Sequence, residues 1–287
     1  MAKMWFGTRA QMQWVPQVDT GPAYTKSGWN SEALYVNGGA KVRNSTAAHM
    51  SYNMVWGPIF SRDNLRPISD YKAGIFGDGL IYFLDPTAMD KNALPQHWAF
   101  PAQAGDDAPT LYADQEPTIV ATPANTNLYP IQSAKYTIEA TSQSVYVPIP
   151  PGYCAWVGAH GTSNGTGGVR VTPFLPGDIG STVSYPTLLS VTSSTRVNAS
   201  FDSATYAGIE VALGSTGAGA ATTVTLSGLM VQILPSGVTP SAGGFISGQG
   251  HSGCSFSGEP VQTPYTINSQ MERVGMTARL VEVGGWL

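Results

Sequence analysis

Charge is scarce in this chain. Only 11 % of its 287 residues are Asp, Glu, Lys or Arg, against roughly 25 % in an average soluble domain. Gly (33), Pro (21) and abundant Ser and Thr take their place, the makeup of a β-protein surface or of one largely covered by partners. The formal charge is -4, so there is no basic footprint for nucleic-acid phosphates. With two cysteines, Cys154 and Cys254, a disulfide framework is excluded, and both are expected as reduced thiols. No apolar run approaches the roughly 20 residues that cross a bilayer as a helix. Met1-Ala2-Lys3-Met4-Trp5-Phe6 runs straight into Gly7-Thr8-Arg9, without the apolar stretch and cleavage site of a secretory leader. The expectation is synthesis in a cytoplasm with no membrane insertion.

Catalytic patterns are equally thin. His49, His97, His160 and His251 are far apart in sequence, and none has metal-ligand spacing. His251 and Cys254 are near neighbours, but two donors do not make a zinc site. Gly248-Gln249-Gly250-His251-Ser252-Gly253 brushes against a nucleotide-binding glycine pattern, yet no strand-turn-helix unit surrounds it and no lysine follows. Ser252 and Ser255 lack the elbow of a hydrolase nucleophile. Asp106-Asp107 and the Asp114/Glu116 pair read as solvated linker acids, not as the paired carboxylates of a glycosidase. No catalytic residue, metal ligand or cofactor is expected.

What is there is β-structure. Met4-Trp5-Phe6-Gly7 and Met12-Gln13-Trp14-Val15-Pro16 read as short strands. Ala33-Leu34-Tyr35-Val36 leads into a tight turn at Asn37-Gly38-Gly39, and His49–Gly57 reads as the next strand. Arg62–Ile68 resembles a short helix or loop. Gly79-Leu80-Ile81-Tyr82-Phe83-Leu84 is apolar enough for a buried strand, closed by Asp85-Pro86. An irregular connector, Met89–Ala99, follows. From about Thr118 the texture becomes short Thr/Val/Ile/Tyr strands separated by Gly, Pro, Asn or Ser, spaced as in an antiparallel sandwich. In Thr222–Leu234 the apolar side falls on Val224 and Leu226, then moves by one residue to Leu229, Val231 and Ile233. That slip predicts a β-bulge or break at Ser227-Gly228.

After Pro235-Ser236-Gly237 the chain turns glycine-rich through Gly258, where Phe245, Ile246, Cys254 and Phe256 want burial. It then ends on an alternating strand from Met276 to Val283. Met276, Ala278, Leu280 and Trp286 point one way, and Thr277, Arg279 and Glu282 point to solvent or a neighbouring subunit. One strand cannot bury itself. The expected fold is therefore all-β, with residues 1–112 and 238–287 forming one discontinuous hub-like β-domain. Residues 113–237 form an inserted antiparallel β-sandwich of jelly-roll or galectin-like type. Gly248, Gly250 and Gly253 are expected to be irreplaceable because of their backbone angles.

Three segments carry a family likeness. Asp85-Pro86 through Asn92-Ala93-Leu94-Pro95-Gln96-His97-Trp98-Ala99, Gly248-Gln249-Gly250-His251-Ser252-Gly253-Cys254-Ser255-Phe256, and Arg279-Leu280-Val281-Glu282-Val283-Gly284-Gly285-Trp286 resemble minor tail proteins of siphophages that infect actinobacteria. The resemblance implies a structural virion component of the tail tip. It implies a β-domain assembled with copies of itself into a ring, in contact with other phage tail proteins. A lectin-like or carbohydrate-binding-module-like sandwich would be displayed toward host cell-surface glycan. Sparse charge fits such a part, since a ring subunit buries surface on both sides and each buried ion costs desolvation.

A sandwich recognises sugar by laying an aromatic face on a pyranose ring while polar neighbours bond the hydroxyls. Tyr146, Tyr153, Trp156, His160 and Asn164 are the candidate glycan contacts. Alternation about Cys154, Trp156 and Gly158 points those three inward, leaving Tyr153 and His160 as the better exposed pair. A stand-alone carbohydrate-binding protein and a glycan-degrading enzyme are the alternatives.

Overall fold

Met4-Trp5-Phe6 and Ile81-Tyr82-Phe83-Leu84 are continuous apolar runs because each is covered on both faces. The computed structural model describes residues 3–18, 23–34, 40–77, 79–103, 118–122, 132–138, 144–164, 166–176, 187–191, 196–215, 222–240, 244–246, 248–251, 253–268 and 271–283. The first part comprises β1 (Lys3–Gly7), β2 (Met12–Pro16), β3 (Ala23–Leu34), β4 (Ala40–Phe60), α1 (Arg62–Lys72), β5 (Tyr82–Leu84), α2 (Pro86–Asp90) and α3 (Gln96–Ala99). Next come β6 (Thr118–Ala121), β7 (Gln132–Ile138), β8 (Ser144–Pro148), β9 (Tyr153–Ser163), β10 (Gly167–Phe174), β11 (Thr187–Leu189), β12 (Val197–Asp202), β13 (Gly208–Ser215) and β14 (Thr222–Pro235). The chain closes with β15 (Cys254–Phe256), β16 (Val261–Asn268) and β17 (Met271–Glu282).

The strands β7 to β14 make a jelly roll. One sheet runs β12-β9-β14-β7, extended by β6, and the other runs β11-β10-β13-β8. Successive strands therefore alternate between the two sheets except at the β10-β11 hairpin, which stays within one sheet, as in two interlocked Greek keys. Ala155, Val157, Ala159, Val169, Val171, Val211, Leu229 and Val231 fill the space between them. The register of β14 against β9 slips between Leu226 and Gly228, which is the bulge that the apolar pattern predicts. At the bulge Ser227 belongs to a buried hydroxyl cluster, 2.8 Å from Ser133 Oγ, and Ser133 in turn donates to Thr122 Oγ1 at 3.0 Å.

The first and last parts of the chain share a second sheet, ordered β15-β17-β4-β3, with β16 also paired to β17. Met276 lies opposite Trp56, Ala278 opposite Met54 and Leu280 opposite Tyr52. These six side chains face one core with Leu65, Ile68 and Tyr71 of α1. Trp56 Nε1 donates to the Pro16 carbonyl at 2.8 Å, so burying the indole leaves no orphan donor.

A small sheet, β2-β1-β5, stands between the two cores. Met4, Phe6 and Phe83 face the core of the shared sheet, while Trp5 and Leu84 face the jelly-roll core. Two-residue periodicity puts alternate side chains of one strand into different cores. The connector follows the second group: Met89, Ala93, Leu94 and Trp98 pack with the jelly roll. Asp85 caps α2 by accepting from Thr87 N at 2.7 Å and Ala88 N at 2.9 Å.

Several details differ from the sequence reading. On β9 it is Ala155, Val157 and Ala159 that face inward, not Cys154, Trp156 and Gly158. Closely packed sheets leave room for Ala-Val-Ala, and the larger indole lies on the outer face with its N–H bonded at 3.1 Å to the Val238 carbonyl. Glu282 is buried, not solvent-facing, because β15 pairs across it, Cys254 opposite Glu282. Ile246 is exposed and Phe245 and Phe256 only partly buried. The helix continues past Ile68 to Lys72, with Pro67 inside it. The turn at Asn37-Gly38-Gly39, the acids Asp106, Asp107, Asp114 and Glu116, the boundary at 112/113 and Trp286 lie outside the described residues.

Candidate functional site

The five candidate glycan contacts do not converge. Tyr146 is on β8 in one sheet, Tyr153, Trp156 and His160 are on β9 in the other, and Asn164 sits in the hairpin after β9. His160 has no exposed surface, which corrects its expected accessibility. The partner of His160 in the register is Gly228, beyond the bulge. At Gly228 an added Cβ would meet the Phe245 ring at 3.0 Å, so the returning segment covers this patch. Asn164 serves its own hairpin, with Oδ1 accepting from Thr223 N and Thr222 Oγ1, each at 2.8 Å. Tyr153 is half-covered, its ring 6.1 Å from Trp14.

Trp156 alone keeps a partly open aromatic face among polar neighbours. Ser200 of the edge strand β12 and Gln232 of β14 stand opposite it in the register, and Asn198 lies one row along. Ser200 and Asn198 are exposed. Its bond to Val238 fixes the indole, and Gln232 Nε2 is held by the Asp90 carbonyl at 3.1 Å.

Tyr146 has an intramolecular role that its sequence context hides. Arg9, from the turn between β1 and β2, reaches onto the outer face of the jelly roll, its Cζ 4.4 Å from the Tyr146 ring centre. It also lies 5.7 Å from the Tyr82 ring and 5.6 Å from that of Phe174. Its Nη1 is 2.7 Å from Glu210 Oε1. Burial by itself lowers the Arg9 pKa, but Tyr82 and Glu210 more than offset it and the net shift is upward. Burial pushes the Tyr146 and Tyr82 phenols up, against a smaller opposing effect of Arg9. With these upward shifts Arg9 stays protonated and both phenols stay neutral near pH 7, and the cluster joins the small sheet to the jelly roll.

The shared sheet offers a broader surface. Val55, Thr277 and Val261 stand in one cross-strand row over β4, β17 and β16, on the face away from Met54 and Met276. Val261 is 63 % exposed, Val55 38 %, and Tyr265 farther along β16 44 %. Asn53 and Arg279 form the next row. Pro264 stands in β16, beyond which no strand is paired among the described residues. A proline on an edge strand removes a donor and discourages addition of another strand there.

The glycine segment docks on the connector. Gln249 N donates to Asn92 O at 2.9 Å and Gly250 N to Leu94 O at 3.0 Å. None of Gly248, Gly250 and Gly253 has a positive φ, so the expected reason for their irreplaceability is corrected. Their missing Cβ atoms are what matter: one added at Gly248 or Gly250 would strike the backbone of Leu94 and Pro95 or of Ala93. His251 stacks on Phe83 with centres 4.0 Å apart and meets Tyr52 edge-on at 4.5 Å. Burial lowers its pKa to about 3, so the ring is neutral near pH 7. Cys254 is a buried thiol that forms no disulfide, pushed well up in pKa by burial and then by Glu282, which leaves it protonated and a poor nucleophile. Cys154 likewise forms no disulfide and is raised, by burial and then Asp202. Among the described residues no three His, Cys, Asp or Glu side chains gather to hold a metal, and no helix is long and apolar enough to cross a membrane.

These features define an all-β chain in which a jelly roll and a second antiparallel sheet share a small central sheet. No family model and no curated protein matches it. Among solved structures it is similar to the tandem CBM22-1-CBM22-2 domain of Paenibacillus barcinonensis Xyn10C, with a TM-score of 0.29 and 14 % identity over 56 % of this chain. The match spans 54 % of that chain, about half of its length. It is also similar to the infectious bursal disease virus structures of the Gt strain, at a TM-score of 0.21, 13 % identity and 98 % and 78 % coverage, and of the Gx strain, at 0.20, 12 %, 99 % and 76 %. All three are too distant to bear on function.

Proposed function

We propose that this chain is a non-enzymatic structural protein of a siphophage tail tip, which assembles with copies of itself through the shared sheet and holds the jelly roll outward. The observation that carries this reading is the exposed row Val55, Thr277 and Val261 with Tyr265 nearby. A sheet whose second face exposes Val55 and Val261 on either side of Thr277, with Tyr265 farther along, is suited to a protein cover. Copies related by rotation would cover one another and close into a ring. The three segments that carry the family likeness also support it, because they are contiguous in space. The connector bonds the glycine segment through Leu94 and Asn92, and β15 pairs with β17. Other tail proteins and host-surface glycan are the further partners of this reading, with several weak contacts adding up through multivalency.

The test is the mass of the purified full chain by light scattering across concentration, beside a Val261→Glu, Val55→Glu double variant. A discrete oligomer that the variant reduces to monomers is the expected result. A wild-type monomer at every concentration, together with its absence from tail tips in images of intact particles, would remove the proposal.

A second reading, a stand-alone carbohydrate-binding protein, draws on one specific observation: the fixed, partly open Trp156 indole beside Ser200 and Asn198. A monomer that binds neutral oligosaccharide and loses it in Trp156→Ala would favour this reading over assembly.

A further inference from the structure

Only one half of β4 belongs to a sheet of several strands. Among the described residues β17 pairs with it from Phe60 back to Ser51 and no further, whereas β3 pairs with it from Asn53 to Ala40. Residues 26–34 and 40–50 therefore form a two-stranded ribbon. Among the described residues β4 is the one element packed broadly on β3. At about 3.4 Å per residue, residues 40–50 reach roughly 35 Å from the sheet. The register slips between Ser27 and Trp29, just past the point where β17 stops, and a bulge there bends the ribbon and increases its twist.

A two-stranded ribbon with nothing laid against it is marginal in water, and its edges carry unpaired N–H and C=O groups. Neither of its strands contains a proline, whereas β16, across the sheet, carries Pro264. That proline discourages a strand from adding to β16, so a ribbon meeting another copy lies across a surface of it. Charge points the same way. Residues 26–34 and 40–50 hold Lys26, Lys41 and Arg43 against Glu32, a net +2, and with -4 for the whole chain the remainder carries -6. Two ribbons repel each other, and a ribbon and the rest of another copy attract.

We propose that this ribbon is a docking arm that lies on the body of a second copy of this chain. The inference rests on the assembly reading above and deepens it. An arm of one copy on the body of the next is a heterologous contact, the kind that makes a ring when the rotation closes. A single strand serves both parts of the assembly: its sheet-bound half carries the exposed Val55, and its other half is the arm.

Hydrogen exchange of the full chain across a concentration series, read by mass spectrometry on peptides from residues 26–34 and 40–50, tests the arm without any substitution. Rapid exchange in the dilute chain is expected, because an unsupported ribbon opens readily, and slowing of about tenfold or more as the oligomer forms. Lys41→Glu with Arg43→Glu takes the ribbon from +2 to -2, two units for each reversal. The pair should weaken the oligomer about tenfold or more, and raising salt from about 0.05 to 0.5 M should weaken the wild-type oligomer. Thermal unfolding of the dilute variant should match wild type, since neither position is in the sheet-bound half of β4. Ribbon exchange that is the same in the dilute chain and the oligomer overturns the arm. So does an oligomer that survives the reversals but is lost in Val55→Glu, Val261→Glu, an outcome that leaves the assembly reading standing. A chain that is monomeric at every concentration overturns both, and slow ribbon exchange in that monomer assigns the ribbon to its own body. Slowing in a monomer only on addition of heparin overturns the second copy and assigns the ribbon to an anionic polymer.

Discussion

Asn92 donates through Nδ2 to the carbonyl of Ile246 at 2.8 Å, joining positions 154 residues apart in sequence. The same amide donates to Leu229 O at 3.2 Å. Its Oδ1 accepts from Leu94 N at 3.2 Å and Val231 N at 3.1 Å. Two donors and two acceptors exhaust what a carboxamide offers, and the side chain has no exposed surface. Connector, jelly-roll strand and returning segment therefore meet on one residue.

Replacing that amide should destabilise the whole molecule. Asn92→Ala leaves two carbonyls and two N–H groups in a buried place, each costing roughly 1–3 kcal/mol where it finds no new partner. A total loss of about 3 kcal/mol or more is expected in chemical unfolding. Asn92→Asp puts a carboxylate against the carbonyls of Leu229 and Ile246, so its pKa should rise on folding. A raised carboxyl pKa means the folded state binds more protons than the unfolded one. The deficit of Asn92→Asp should then shrink as pH falls from 7 toward 4. A deficit in either variant below about 1 kcal/mol at pH 7 would show that the three segments are held by something else.

Glycines in this fold are constrained for two different reasons, and substitution separates them. Gly250→Ala drives a Cβ into the Ala93 carbonyl, backbone that cannot move without breaking the Ala93 N to Val231 O bond at 2.7 Å. A loss above about 2 kcal/mol is expected, as for overpacking. Gly258→Ala meets no atom within 4 Å but holds φ at 90°, and should cost about 1–2 kcal/mol. Gly79→Ala meets neither obstacle and should lie within about 0.5 kcal/mol of wild type. The order Gly250 over Gly258 over Gly79 in urea midpoints is the check, and a Gly250→Ala protein as stable as Gly79→Ala would refute the close approach.

Periodicity made much of this architecture legible. The one-residue slip between Leu226 and Leu229 located the bulge, because inward side chains along a strand must recur every second position. Met276, Ala278 and Leu280 announced a buried face for the same reason. What stayed hidden depends on contacts remote in sequence. Nothing near Trp156 tells which face of β9 is inner, since Ala155 and Val157 make as good an apolar alternate as Cys154 and Trp156. The covering of His160 by the returning segment and the capture of Tyr146 by Arg9 are tertiary events between distant positions. Glu282 read as exposed because its charge outweighed the pattern, although β15 lies beside it. Asn92 carries no motif at all, and only its bonding to two remote segments marks it.

His251 gives the protein a defined acid sensitivity. Its folded pKa of about 3, lowered by burial, is below the roughly 6.5 of an unfolded-state histidine. Between those values the unfolded chain binds the proton and the folded chain does not, so stability falls as pH drops through that window. The slope from this residue is at most about 1.4 kcal/mol per pH unit. His251→Phe, which keeps an aromatic ring against Phe83 and Tyr52, should be less sensitive than wild type between pH 6.5 and 4. Parallel stability curves for the two proteins over that range would sink the assignment.

The Arg9 cluster should behave as a coupled unit that holds the small sheet to the jelly roll. Arg9 meets Glu210 at 2.7 Å with both side chains partly shielded, at 36 % and 22 % exposure, while its guanidinium lies over Tyr146. An exposed ion pair is worth about 0–1 kcal/mol, and a cation over an aromatic ring about 0.5–1 kcal/mol or more as it is desolvated. Double-mutant cycles should thus give coupling of about 1 kcal/mol for Arg9→Ala with Glu210→Gln. For Arg9→Ala with Tyr146→Leu the expected coupling is similar. Salt separates the two interactions, since raising it from 0.05 to 0.5 M screens the partly solvated ion pair more than the contact with the largely buried Tyr146 ring. Additivity within about 0.3 kcal/mol in both cycles would mean that Arg9 lies on this face without fastening it, and that the small sheet is held to the jelly roll by the core around Trp5 and Leu84 instead.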